Sequence, residues 1–440
     1  MSGQRAGAAS RLSRPAARVV ASRRLAVYLG IGAAGLLTAV LFGRPEAVAV
    51  VVPLLLLPAL GLAAAGSPEL SISIGQARER AIEGSEVALS VSLQASRPLW
   101  GLRLEIRPGR EVTARPLGPS VSELRPGAAA DLHWALSCRR WGGRRGGTLN
   151  VSAQDRLGLF SYHWADQRLP GLRIYPAADK LRRLIPAARP QMSAGDDVSN
   201  LRGDGIEFGG IRQFLPGDRV RHVNWRATAR RGTLQVNELR PERNADVVIF
   251  LDTFTELELG KENSLDRAVR AAGSIAGAYL RSRDRVGLIG FGGTLRWLAP
   301  GLGERQAYRI ADSLIESEVI FSYAWKGLEV IPPRTLPPGA LVVAVTPLLD
   351  ERSLRALLDL GGRGHDLVVV EVSPLDFLPP AQDEPAFLAR RLWEMERQAL
   401  RTRFVSVGVP VVRWDAGLPL AAPLLAASRF RRERRLVAPR

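Results

Sequence analysis

The sequence predicts three structural styles in succession: a two-helix transmembrane hairpin, a β-sandwich of immunoglobulin-like size, and an α/β doubly wound sheet. Three observations predict them. Two uncharged apolar runs, 25–43 and 47–66, lie near the start. Apolar residues then recur with period two between 70 and 175. From 246 onward, continuous apolar runs alternate with helical stripes. At 440 residues the chain has room for two or three domains, and a hydrophobic content of 46% supplies real cores.

The apolar runs hold 19 and 20 residues. At about 1.5 Å per residue, each covers a hydrocarbon layer of roughly 30 Å. Only Arg44, Pro45 and Glu46 separate them, which implies a tight antiparallel hairpin. Pro53 and Pro58 fall in the second run, where a membrane helix tolerates them. Residues 1–24 carry six arginines and no acid, which favours the cytoplasmic side for the N-terminus. Two crossings then return 67–440 to the cytoplasm. Two full-length runs exceed the apolar region of a cleaved signal peptide, despite Ala63-Ala64-Ala65. The sole cysteine, Cys138, allows no internal disulfide and fits a reducing compartment.

The net charge of +18 suggests nucleic acid until its distribution is considered. Residues 1–24 contribute +6 and 429–440 contribute +5, so 11 of the 18 charges sit at the two ends. Basic ends beside apolar helices suit the anionic face of a bilayer. No nucleic-acid module accompanies the charge, and nucleic acid is not expected as a partner.

Residues 70–74, 87–93, 102–106, 149–151 and 172–175 alternate in the manner of sandwich strands. The glycine-arginine run 142–147 lacks a strand–GxxxxGK[ST]–helix setting and reads as a hairpin turn instead of a phosphate cradle. Farther on, buried parallel strands are expected at 247–251, 286–291, 341–345, 367–372 and 411–414. Helices are expected at 264–280, 304–316, 351–360 and 385–401. Such alternation builds a doubly wound sheet with ligands at the carboxyl ends of its strands.

Between the two domains, residues 205–238 concentrate local chemistry. Pro216 and Gly217 suit the second and third positions of a turn. Asp218 sits where an N-cap would, able to accept from Val220 or Arg221. Val220, Val223 and Ala227 form one edge of a short helix that Gly232 stops. Residues 233–238 read as a half-buried strand. The arginines here cannot all be buried; some pair with Glu207, Asp218 or Glu238, and the rest face solvent or a partner. Trp225 reads most simply as a core anchor.

The pattern Gly205-x-Glu207-Phe208, Arg212-x-Phe214-x-Pro216-Gly217-Asp218, Arg221-x-x-Asn224-Trp225, Ala229-Arg230 resembles the core signature of the bacterial family called "domain of unknown function 58". Arg145-Gly-Gly-Thr148 and Asp155-x-x-Gly158-Leu-Phe160 are similar to its β-region. The resemblance implies an N-terminal membrane hairpin, a β-rich region and a von Willebrand factor A-like domain. It also implies association with a MoxR-type AAA+ ATPase, and it brings no established activity. The expected layout is a basic cytoplasmic N-terminus at 1–24, a transmembrane hairpin at 25–66, and a β-sandwich-like domain at 67–176. The signature segment follows at 177–243, the von Willebrand A-like domain at 244–416 and a basic tail at 417–440. Glu207, Arg212, Pro216, Gly217, Asp218, Arg221, Asn224, Trp225 and Arg230 are the candidates for shaping the domain's edge or contacting the partner.

Asp252 raises a metal question. Many von Willebrand A domains end their first strand in Asp-x-Ser-x-Ser, which helps hold magnesium through hard oxygen ligands. Here Phe254 and Glu256 stand in the serine slots, and Val345-Thr346-Pro347 stands where an aspartate motif is often found. A magnesium or manganese site at Asp252, in a binding module or an enzyme, is therefore the rival reading. The favoured reading has Asp252 capping a turn or pairing with an arginine of the central stretch. No catalytic constellation emerges. A second aspartate is missing at 254, no G-x-S-x-G elbow occurs, and the four histidines lack metal-ligand spacing. No small-molecule substrate is implied. The function expected is a membrane-anchored, cytoplasm-facing scaffold.

Overall fold

A computed structural model describes residues 10–43, 46–64, 66–109, 111–143, 147–181, 184–186, 207–240, 245–260, 262–320 and 327–437. The protein is a mixed α/β chain with several sheets and an apolar N-terminal helix, and it divides into two compact units, 1–177 and 178–440. The 44–45 connection, Gly205 and residues 144–146 of the expected hairpin turn lie outside the described residues.

The first unit opens with β1 (Ser10–Ser13) and β2 (Arg18–Ala21), followed by helices α1 (Arg23–Phe42) and α2 (Glu46–Ala64). Ser22 caps α1 by accepting from the Leu25 N–H, and Gly43 ends it in the left-handed region. Gly32 and Gly35 pack against Leu55 and Val51, an antiparallel register that small residues permit. The strands that follow are β3 (Leu70–Gln76), β4 (Arg80–Ile82), β5 (Glu86–Ala95), β6 (Leu99–Arg107), β7 (Val112–Pro116), β8 (Glu123–Leu124), β9 (Ala129–Cys138), β10 (Thr148–Gln154), β11 (Phe160–Arg168) and β12 (Arg173–Tyr175). They form two five-stranded antiparallel sheets, in the orders β1-β3-β5-β9-β7 and β2-β11-β10-β6-β8. Alternate residues of both sheets meet in one core, with Ile72 and Leu89 from the first and Leu149 and Trp164 from the second.

The basic N-terminal segment also holds strands the sequence did not announce: residues 10–13 and 18–21 are edge strands of the two sheets. A β-edge needs only backbone pairing, so arginine-rich sequence can occupy it.

In the second unit, β13 (Glu207–Gln213) and β14 (Gln235–Arg240) form a separate antiparallel pair, with α3 (Trp225–Arg231) between them in sequence. Then come β15 (Asp246–Thr253), the short pair β16 (Glu258–Leu259) and β17 (Glu262–Asn263), α4 (Ser264–Arg281), β18 (Arg285–Gly292), β19 (Arg296–Gly301), α5 (Gly303–Leu314), β20 (Leu341–Thr346), α6 (Glu351–Gly362), β21 (Asp366–Val372), α7 (Glu384–Ser406), β22 (Val411–Trp414) and α8 (Ala421–Val437). The main sheet has the order β19-β18-β15-β20-β21-β22 and is parallel except for β19. The sequence reading missed β19, where Pro300 is tolerated because the strand is an edge.

The main sheet is covered on both faces. Val248, Phe250, Val342 and Val369 share a core with Leu357 and Leu360 of α6 and Phe404 of α7. Alternation turns Val247, Ile249 and Leu251 to the opposite face, where α4 buries Leu265, Val269 and Ile275. The expected basic tail at 417–440 is corrected, because 421–437 form α8 and bury Leu424 and Ala427. Its arginines lie on a helix with an apolar side: Arg431 donates to the Pro186 carbonyl and pairs with Asp366.

Phe250 is fully buried, with its ring centroid 5.3 Å from that of Phe291. Phe250→Ala should cost the second unit about 3–5 kcal/mol, read by urea unfolding. A loss below about 1 kcal/mol would mean that the sheet is not packed as described.

Candidate functional site

Two places in the second unit bring the candidate residues together. The first is the signature hairpin. Asp218 N–H donates to the Leu215 carbonyl at 3.0 Å, closing a turn with Pro216 second and Gly217 third at φ 103°. Asp218 does not cap a helix. Its carboxylate accepts from the Leu215 N–H at 2.8 Å and from both terminal nitrogens of Arg212 at 2.7 Å. The bidentate guanidinium, six residues upstream and across the turn, outcompetes the weaker backbone donors downstream.

Asn224 does the capping instead. Its Oδ1 accepts from the Ala227 N–H at 3.0 Å, and its Nδ2 donates to Asn237 at 2.7 Å, tying α3 to β14. Thr228 adds a second tie by accepting from the Gln235 N–H, and Gly232 ends α3 at φ 68°. Val223 and Val236 bury against each other at an isolated bridge. A seven-residue helix over two strands offers no layer deep enough for a larger side chain.

Trp225 therefore stands 64% exposed, which corrects its reading as a core anchor. Leu215, Val220 and Leu234 are exposed in the same segment, as are Arg221, Arg226 and Arg230. Arg221 Nε contacts His222 at 3.2 Å. Glu207 lies in β13 opposite Arg240, and its side chain is outside the described residues.

The second place is the carboxyl edge of the main sheet. From β15 the chain moves by α4 to β18 on one side, then crosses to β20 on the other. The β15/β20 boundary is thus a topological switch point, where open α/β sheets hold ligands. Asp252 sits there, 1% exposed. Its Oδ1 accepts from the Phe254 N–H at 3.0 Å, a two-residue turn cap, and its Oδ2 accepts from the Thr346 hydroxyl at 2.6 Å. Thr346 in turn accepts from the Leu348 N–H at 2.8 Å. Ser353, on the first turn of α6, lies beside the same carboxylate, but its hydroxyl has no well-formed hydrogen bond. Thr255 and Ser373 also bury hydroxyls without a partner at this edge.

Burial pushes the Asp252 carboxyl up to about 6, against the opposing pull of the Thr346 and Phe254 hydrogen bonds. Nearby, Arg352 pairs with Asp350 and holds that carboxyl below its ordinary range. The Arg352 guanidinium also lies 3.9 Å over the Phe254 ring. A third carboxylate, Glu371 of β21, is 1% exposed and held by Arg397 at 2.5 Å and Arg401 at 2.9 Å. Arg397 also donates to the carbonyls of Pro347 and Leu348, fixing Leu348 at a left-handed φ of 53°. No local sequence signal announces Arg397 as the partner of Glu371, 26 residues away.

Magnesium requires several oxygens in near-octahedral geometry. Both oxygens of Asp252 already accept from protein donors, Phe254 is buried in a serine slot, and a guanidinium lies over its ring. Among the described residues, no three His, Cys, Asp or Glu side chains gather to hold a metal.

Because Asp252 is raised above its ordinary 3.8 when folded, its folded form binds the proton more tightly. Its contribution to stability is complete below about pH 4 and is lost as pH rises through about 6, a change of about 3 kcal/mol. Asp246 and Asp284 are raised by burial in the same direction. The clean readout is therefore the difference between proteins: Asp252→Asn should flatten the wild-type decline in unfolding free energy between about pH 4 and 7.

Comparison with known proteins adds a family. Residues 210–378 match the model of the family described as "Protein of unknown function DUF58". Uncharacterized proteins Mb1516 of Mycobacterium bovis and Rv1480 of Mycobacterium tuberculosis are each 29% identical over 114 residues, 26% of this chain and 36% of theirs. Uncharacterized protein YeaD of Bacillus subtilis is 27% identical over 82 residues, 19% of each chain. The chain thus spans about a third or less of the length of these relatives. The matched stretch takes in α3, Asp252, Thr346 and Glu371.

Proposed function

We propose that this protein is a membrane-anchored, cytoplasm-facing interaction protein that works with a MoxR-type AAA+ ATPase in protein assembly, maturation or envelope maintenance. The carrying observation is the exposure of Trp225 among arginines on α3. A large exposed aromatic in an arginine-rich segment has the composition of an interface hot spot. The internal ties of Asn224, Asp218 and Arg212 hold that face in one shape before binding, which lowers the cost of ordering it.

Two supports bear on the rest of the reading. Helix α1 is long and apolar enough to cross a membrane, and Arg23 and Arg24 stand at its start. In this reading α2 makes the return crossing, held by the contacts of Gly32 and Gly35, so that the lipid bilayer is a partner. The six-stranded order with a buried aspartate at its switch point supports a von Willebrand A-like assignment for 244–416. Neither nucleic acid nor a small-molecule substrate has a role in this reading.

The test is binding of the reconstituted full-length chain to the ATPase. Trp225→Ala should weaken binding at least about tenfold, the scale of an interface hot spot. Unfolding stability should stay within about 0.5 kcal/mol, because the side chain is exposed. An Arg226→Glu/Arg230→Glu variant should weaken binding further at low salt. Equal binding by wild type and variants would remove α3 as the contact, and no binding by wild type would remove the partner.

A further inference from the structure

The two sheets of the first unit do not close against each other everywhere. On the side of β6 and β7, a cleft of about 1650 Å³ opens between them. Its apolar wall includes Leu102, Leu104, Ile106, Leu132, Trp134 and Trp164, and residues 116–122 run along it. Leu104 and Ile106 are only half-buried, although their alternation turns them toward the core. Trp164 is 1% exposed, and its indole N–H has no hydrogen-bond partner. A drug-sized ligand occupies roughly 300–1,000 Å³, so this cleft has room for something larger, and Arg103, Glu105, Asp131 and His163 line it beside the apolar residues.

Its place in the unit narrows the occupant. Ala21, the end of β2, pairs with Phe160, and Ser22 then bonds to Gly158 and Leu159 where α1 begins. α2 ends at Ala64, shortly before Leu70 pairs with Ala95. Gln154 pairs with Trp100 at this same end, and Gly61 of α2 touches Leu159. Both helices therefore join one end of the sandwich. The cleft starts at Gly101, two residues or roughly 7 Å from the start of β6 at that end.

We propose that this cleft takes up the acyl chain of a membrane lipid. The proposal rests on the membrane reading of α1, which puts acyl chains beside that end of the sandwich. An apolar cleft opening near a bilayer gains by filling with chains of matching chemistry.

The test uses the full-length chain in nanodiscs containing phosphatidylglycerol with a mid-chain diazirine. After irradiation, adducts are mapped by peptide mass spectrometry. The expected result is adducts on peptides covering 101–122 and 131–134, together with adducts on α1. Val121→Trp, which fills the mouth from a loop, and Leu104→Arg should each lose most of the cleft adducts and keep those on α1. Adducts confined to α1 and α2 would overturn the cleft proposal while leaving the membrane reading standing. Adducts on neither would overturn both, and cleft adducts unchanged in both variants would also overturn the proposal.

Discussion

The hydrogen bond from Thr346 to Asp252 joins the two strands on either side of the sheet's switch point. Strand β15 is buried along its whole length, so a carboxylate near its end has no route to water. The surrounding turns must supply its donors, and they do: Phe254 from the strand's own exit, Thr346 from the neighbour's. That demand shapes the edge. Thr346 orders the start of the next turn through Leu348, and Asp350 then caps α6. Arg397 reaches back from α7 to hold Glu371 and the carbonyls of the same turn. Buried ion pairs of this kind add little net stability, because desolvation offsets attraction, but they set geometry strongly.

The signature hairpin shows the opposite economy. Its polar side chains fix local shape through Arg212–Asp218 and Asn224–Asn237, while its largest apolar side chain stays outside. In the main sheet, Asp252 and Glu371 are held by protein donors, while the hairpin leaves Trp225 exposed.

Much of this fold was legible in the sequence because burial on both faces leaves a local trace. Residues 247–251, 341–345 and 367–372 are continuous apolar runs, and each is a strand. The Pro216-Gly217 turn and the Gly232 stop were legible for the same local reason. What escaped depended on distant partners. Edge strands β1 and β2 are four residues each, too short to show an apolar period. Asp218 was expected both to cap a helix and to pair with an arginine; it pairs with Arg212, and the cap falls to Asn224. Trp225 followed the general tendency of tryptophan to bury, and only the thinness of the two-stranded layer overrides it. Asp252 was expected to cap a turn or to pair with an arginine of the central stretch; it accepts from the Phe254 N–H, and its other partner, Thr346, lies 94 residues away.

The central claim is that the α3 face is a docking surface for the ATPase. It is tested most directly by placing a photo-crosslinking amino acid at position 225 in living cells, with position 259 on β16 as an exposed control. The account predicts capture of a MoxR-type AAA+ ATPase from 225 and not from 259. Capture of that ATPase from both positions alike, or from neither, would contradict it.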